Sequence, residues 1–132
     1  MANFILAIDQ GTTGSTVALM DARGKVRASV NYEFPQIYPK PGWVEHCPAD
    51  IWESIAKGIR AILRRKVCKA ADIAAIGIAN QRETALVWDR RTGDPLNNAI
   101  VWQCRRTTDF CQSLKQRGHE GLVKRRSGLV LD

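Results

Sequence analysis

The stretch "FILAIDQGTTGSTVALM", Phe4 to Met20, decides how this chain is read. "FILAI" at 4–8 is a continuous apolar run, the pattern of a strand buried on both faces, and "STVALM" at 15–20 is a second β-run. The loop between them either binds an anion or only joins two strands. Gly11 and Gly14 permit positive φ and close approach of another group, while Thr12, Thr13 and Ser15 each set a hydroxyl beside a backbone N–H. Successive N–H groups in such a turn form a concave anion site suited to a polyphosphate. Asp9, at the end of the first strand, suits a magnesium ion held through water, because that ion takes few carboxylates and keeps several waters. No Gly-Lys-Ser/Thr follows, and the next element is a strand, so neither the Walker loop nor the dinucleotide glycine fingerprint is present. From these residues alone, a plain hairpin turn stays open beside the phosphate site.

Outward from the loop, the turn "DARG" at 21–24 and the β-run "KVRASVNYEF" complete an antiparallel three-strand meander. "PQIYPKPGW" at 35–43 carries three prolines and a glycine and predicts an irregular surface excursion. Pro48 suits the first position of a helix, and Ile51, Ile55, Ile59, Ile62 and Leu63 mark one apolar face over 48–65. "IAAIGIA" at 73–79 predicts another buried strand, "TALVW" at 84–88 its neighbour, "DRRTGDP" a turn, and "AIVW" at 99–102 a short strand. Arg105 to Arg117 predicts a helix stopped by Gly118, and a last helical turn or two near Leu122 and Val123 ends before Gly128. The expected fold class is α/β: a mixed sheet beginning with the meander and flanked by helices. The close at "SGLVLD", without a polar fade-out, predicts an incomplete domain.

The 132 residues suit one domain or part of a larger one, and 45% hydrophobic with 25% charged residues is an ordinary globular balance. A basic signal region and an apolar run of the roughly 20 residues that cross a bilayer are both missing, so no membrane span is expected and the cytoplasm is the expected location. Cys47, Cys68, Cys104 and Cys111 are spaced too irregularly for a zinc knuckle and read as free thiols. His46 and His119 stand away from metal-ligand spacing. The net charge of +7 raises the question of nucleic acid, but the basic clusters at 64–66, 90–91, 105–106 and 124–126 lie on different elements without aromatic interleaving. They read as solvated faces, and no nucleic-acid partner is expected.

"NQRETALVWD" at 80–89 and "NAIVWQCRRT" at 98–107 carry the remaining chemistry. Arg82 and Glu83 are consecutive, so in a regular strand they face opposite sides, and they meet one ligand only where the backbone turns. Together a guanidinium that donates and a carboxylate that accepts suit two neighbouring hydroxyls of a polyol, and Trp102 suits cover for its carbon backbone. A surface ion pair with a core tryptophan is the alternative these residues leave open.

Four stretches in order, "AIDQGTTGS", "QIYPKPGWVEH", "AIGIANQRET" and "NAIVWQCRRT", resemble the amino-terminal part of the glycerol kinases, among the sugar kinases with the actin and hexokinase type of ATPase fold, which is ribonuclease H-like. The similarity runs from Phe4 to Asp132, and "QRE" with "VWQCRR" points to glycerol rather than to pentuloses. The resemblance implies ATP-dependent phosphorylation of glycerol to glycerol 3-phosphate. It assigns ATP phosphates to the loop Asp9, Gly11, Thr12, Thr13, Gly14 and Ser15, magnesium to Asp9, and glycerol to Arg82, Glu83 and Trp102. It implies that residues 1–132 are part of an N-terminal domain and that the carboxy-terminal domain, catalytic base and most of the adenine site lie beyond Asp132; whether the longer protein is a homo-oligomer stays open. The isolated chain is then inactive. A non-catalytic module of the same fold, acting as scaffold or sensor, and a kinase for another small polyol or sugar are the alternatives. Two positions depart from the family: Cys47 stands where an N-capping Asp is usual, and Thr16 where many members carry an arginine that reaches phosphate.

Overall fold

Side chains alternate across a strand, and in the computed structural model, which describes residues 3–132, that alternation sets the two faces of the main sheet. Strand β1 (Phe4–Gln10) buries Leu6, Ile8 and Gln10, while Ile5 and Asp9 are exposed. β2 (Gly14–Asp21) lies antiparallel to β1, with Ala7 opposite Ala18 and Asp9 opposite Thr16, and β3 (Val26–Glu33) lies antiparallel to β2. The meander is therefore as expected, and β5 (Ile73–Asn80) adds in parallel on the far side of β1, giving the order β3-β2-β1-β5.

Helix α1 (Pro48–Arg64) starts at its proline and places its isoleucine face on β2 and β3. Leu6, Ile8, Val17, Leu19, Ala28 and Ile62 form the core beneath it, with Ile55 and Ile59 packed at its margin. Gly58 lets the helix sit low, because a Cβ there would lie 2.5 Å from Val17 Cγ2. Its N-cap, Cys47, makes no side-chain capping bond, as expected from its weak acceptor.

A second layer hangs beside this sheet. β4 (Glu45–His46) pairs antiparallel with β6 (Ala99–Ile100), and α2 (Thr108–Gln116) and α3 (Glu120–Ser127) follow, each closed by a glycine with φ near 75°, Gly118 and Gly128. Among the described residues no helix is long and apolar enough to cross a membrane.

Three expectations need correction. β1 is not buried on both faces, since Ile5 is 44% exposed. β5 is not a buried strand either: Ile76 and Ile78 stand in register with Leu6 and Ile8, but α1 covers β2 and β3 and leaves that edge open, so they are 57% and 71% exposed. The run at 84–88 does not pair with β5. Glu83 takes a left-handed φ of 63° and sends the chain toward β6, which it meets in a single bridge, Ala85 with Ile100, while Trp88 bridges Pro95 across the following turn.

Candidate functional site

Because β1 and β5 run parallel and in register to their ends, Gln10 beside Asn80, the loops that follow them leave from the same edge of the sheet. That is the carboxyl edge, where open α/β sheets place their ligands. After β1 comes the tight hairpin of Gly11 to Thr13, closed by the Gly11 N–H donating to the Gly14 carbonyl at 2.9 Å. Among the described residues no hydrogen bond is donated by the Thr12 or Thr13 N–H, so both remain free for an anion. Thr13 is exposed and Thr12 half-buried.

The two glycines serve packing rather than positive φ, which neither adopts. A Cβ on Gly14 would lie 2.8 Å from the Tyr32 carbonyl oxygen, so the residue is dictated by the approach of β3. Ser15 is turned away from the hairpin mouth: it is fully buried, and its Oγ lies 2.8 Å from Ser54 Oγ of α1. Its hydroxyl is a core group, not a ligand donor, because the strand alternation that exposes Thr16's face puts Ser15 under the helix. Asp9 is exposed on the open face, in a shallow cavity with Thr16, Gly77 and Ala79.

After β5 the chain turns at once, with the Arg82 N–H donating to the Asn80 carbonyl at 3.0 Å. The left-handed backbone at Glu83, uncommon for a residue with a side chain, brings the consecutive side chains of Arg82 and Glu83 onto one cavity. That cavity, about 520 Å³, is also lined by Asn80, Gln81, Trp102 and Asp132, and it lies within the range that takes small ligands, roughly 300–1,000 Å³. Trp102 reaches it from the end of β6: Val101 is buried, its N–H held by the Val44 carbonyl at 3.1 Å, which leaves the next side chain pointing outward. The Trp102 indole N–H donates to Thr12 Oγ1 at 3.0 Å. The hairpin and the Arg-Glu corner are thus joined by the tryptophan between them.

Behind this edge lies a polar network whose role sequence reasoning missed. His46 is fully buried, its Nε2 lies 2.6 Å from Gln36 Oε1, and the Gln81 amide donates to its Nδ1 at 3.2 Å. Gln36 in turn donates to the Thr12 carbonyl at 3.0 Å, and the Thr84 hydroxyl donates to Gln81 Oε1 at 3.2 Å. Burial holds the imidazole below its ordinary pKa, so it is neutral, and the Gln36 acceptor assigns its proton to Nε2. Beside it, Glu45 accepts from Arg106 at 2.6 Å and from Asn98 at 3.0 Å, and these bonds hold its carboxyl below the ordinary value. The Arg106 guanidinium stacks 4.0 Å from the Trp43 ring centre. Partial burial pushes the Cys104 thiol up, but backbone bonds from Val44 and Arg106 and the Arg106 guanidinium outweigh it and bring the thiol below its ordinary value. The signal for the network was available, since Gln36, His46 and Gln81 all fall inside the quoted motifs, but nothing in one dimension pairs them.

The model of the FGGY family of carbohydrate kinases, N-terminal domain, matches residues 4–132. This chain belongs to that family. It is 53% identical, over all of its own length, to a glycerol kinase of Caldanaerobacter subterraneus, of which it covers 27%. The solved glycerol kinase of Plasmodium falciparum with ADP superposes with a TM-score of 0.88 at 34% identity, covering 99% of this chain and 26% of that one. The gluconate kinase of Lactobacillus acidophilus also gives 0.88, at 28% identity, over 97% of this chain and 25% of its own. The chain thus spans about a quarter of the length of the curated relatives it matches. Its sheet is that of the FGGY kinases, with the actin-like ATPase fold.

Proposed function

We propose that these 132 residues serve as the amino-terminal part of an ATP-dependent glycerol kinase, carrying a share of the phosphate loop and of the polyol site. The placing of Arg82, Glu83 and Trp102 on one cavity, with Trp102 bonded to Thr12 of the hairpin, supports this reading most directly. The similarity to glycerol kinases at 51–55% identity favours glycerol over other polyols.

In this reading the free N–H groups of Thr12 and Thr13 and the Thr13 hydroxyl meet the phosphates, with Gly11 and Gly14 shaping the turn. Magnesium fits as an ion held mainly by phosphate and water, with Asp9 as the nearby carboxylate; among the described residues no three acidic, histidine or cysteine side chains converge on a metal position. ATP supplies the transferred phosphoryl group. Glu83 accepts from one polyol hydroxyl, Arg82 donates to its neighbour, and the Trp102 ring covers the carbons between them. That fixes the third hydroxyl toward the hairpin for in-line attack, the positioning on which such transfers mainly depend. No carboxylate of this chain is given the role of base.

The test is a chimera in which residues 1–132 replace the matching segment of the Caldanaerobacter kinase, assayed with glycerol, gluconate and xylulose beside the parent. Turnover of glycerol by the chimera, and none by the isolated chain, is expected. A folded chimera without turnover beside an active parent, or one that prefers another polyol, refutes the assignment.

A further inference from the structure

The hairpin and the Arg-Glu corner come from loops that are 70 residues apart, Gly11 and Gln81, and the contact through Trp102 lies on the exposed side, where solvent competes. A second connection runs underneath, entirely through side-chain amides and one imidazole. From the Thr12 carbonyl it passes to Gln36 Nε2 at 3.0 Å, from Gln36 Oε1 to His46 Nε2 at 2.6 Å, from His46 Nδ1 to Gln81 Nε2 at 3.2 Å, and from Gln81 Oε1 to the Thr84 hydroxyl at 3.2 Å. Thr84 Oγ1 is also 3.4 Å from the Gln81 carbonyl, a second and longer acceptor for the same hydroxyl proton.

With the imidazole neutral, donors and acceptors alternate without a break in one arrangement. The Gln36 amide nitrogen is committed to the Thr12 and Phe34 carbonyls, so its oxygen faces the ring and the Nε2 proton points at it. Nδ1 is then an acceptor, and Gln81 turns its NH₂ to it, which leaves Oε1 for Thr84. The imidazole cannot rotate out of this arrangement: it is fully buried, and Phe34 meets it edge-on, with ring centres 5.0 Å apart and planes at 78°. A rigid five-membered ring between two amides fixes a distance, which a flexible side chain of equal polarity does not.

We propose that His46, held between Gln36 and Gln81, is a positioning residue that sets the spacing between the Thr12 hairpin and the Arg82/Glu83 corner, and so between phosphoryl donor and polyol. The inference rests on the kinase reading above. His46 touches neither ligand. Its effect falls on the step that needs both ligands in line, because a displacement of about 1 Å between reacting groups costs up to a hundredfold in rate, while each ligand keeps its own contacts.

The experiment uses the chimera with three variants, His46→Gln, Gln81→Ala and Gln36→Leu, measuring kcat, both KM values, and the separate dissociation constants of glycerol and ADP by calorimetry. Expected is a fall in kcat of tenfold or more in each variant, with the ADP dissociation constant within about threefold of the unmutated chimera in all three and that of glycerol within about threefold in His46→Gln and Gln36→Leu, since Gln81 itself lines the polyol cavity. Gln81 is only half-buried, so Gln81→Ala is the variant that stays folded if loss of the buried ring or of Gln36 does not. Folded Gln81→Ala with unmutated kcat overturns the proposal, as does a loss confined to melting temperature or to the affinity of one ligand. An unmutated chimera that binds glycerol but never turns over refutes the kinase reading, and the positioning role with it; an active one with indifferent variants refutes the positioning role alone.

Discussion

Gly58→Ala sets local propensity against packing, and the two predict opposite signs. Gly58 lies inside α1, where alanine is favoured over glycine by about 1 kcal/mol. The added Cβ, however, would stand 2.5 Å from Val17 Cγ2 and 3.1 Å from Val17 Cβ. Ordinary contact begins near 3.4 Å, so the helix must lift from β2 by about 1 Å or Val17 must leave its rotamer. Val17 is β-branched, hence stiff at χ1, and fully enclosed, so it has nowhere to turn. Overpacking of this kind costs about 1–3 kcal/mol, which leaves a net loss of up to roughly 2 kcal/mol after the propensity gain. For a chain of this size that is a fall in melting temperature of up to about 10 °C. Urea titration and calorimetry of Gly58→Ala, Val17→Ala and the double variant measure it. The second alanine removes Cγ2, so the cost of the first should shrink or reverse in that background. Gly77→Ala is the control, since a Cβ there meets nothing within 4 Å. A Gly58→Ala chain that melts higher than the parent, or one whose loss is unchanged when Val17 is alanine, refutes the argument.

Cys47→Asp supplies the missing side-chain acceptor at the start of α1 and should add about 1 kcal/mol, read as a raised urea midpoint. Glu83→Gln should lower kcat/KM for glycerol in the chimera by roughly tenfold to a hundredfold, the loss of one charged hydrogen bond, with melting unchanged; an unaltered kcat/KM removes Glu83 from the polyol site. The Arg106 and Asn98 bonds lower the Glu45 pKa in the folded chain, so this carboxylate contributes stability that is complete above its ordinary value of 4.5 and is lost as pH falls through the lower folded value. The difference in urea midpoint between the parent and Glu45→Gln should therefore be largest near neutrality and shrink below pH 4.5. His46 has the same sign for a different reason: burial lowers its pKa, so the unfolded chain takes up the proton first and stability declines as pH falls below 6.5. Calorimetry from pH 8 to 5 should show that decline in the parent and a flatter profile in His46→Gln.

Local pattern made much of the fold readable. Alternation and turn residues placed the meander, Pro48 and the isoleucine spacing placed α1, and Gly118 and Gly128 marked two helix ends. The run at 84–88 misled because its composition suits a strand, whereas pairing depends on where the preceding turn aims the chain, and that was set by a left-handed Glu83. Ser15 misled differently. A hydroxyl in a glycine-rich loop reads as a ligand donor, but one residue of strand parity decides whether it faces the cleft or Ser54.

By itself the sequence singled out the candidate site residues, because residue type and near-neighbour spacing are one-dimensional properties: the hydroxyl-rich hairpin, the adjacent Arg82 and Glu83, and Trp102. Only the tertiary structure decided that they share an edge. The parallel pairing of β1 with β5 turns two distant loops toward the same side, and the buried His46 joins them from below; both are contacts between segments far apart in the chain, formed by hydrogen bonds whose partners no local pattern names.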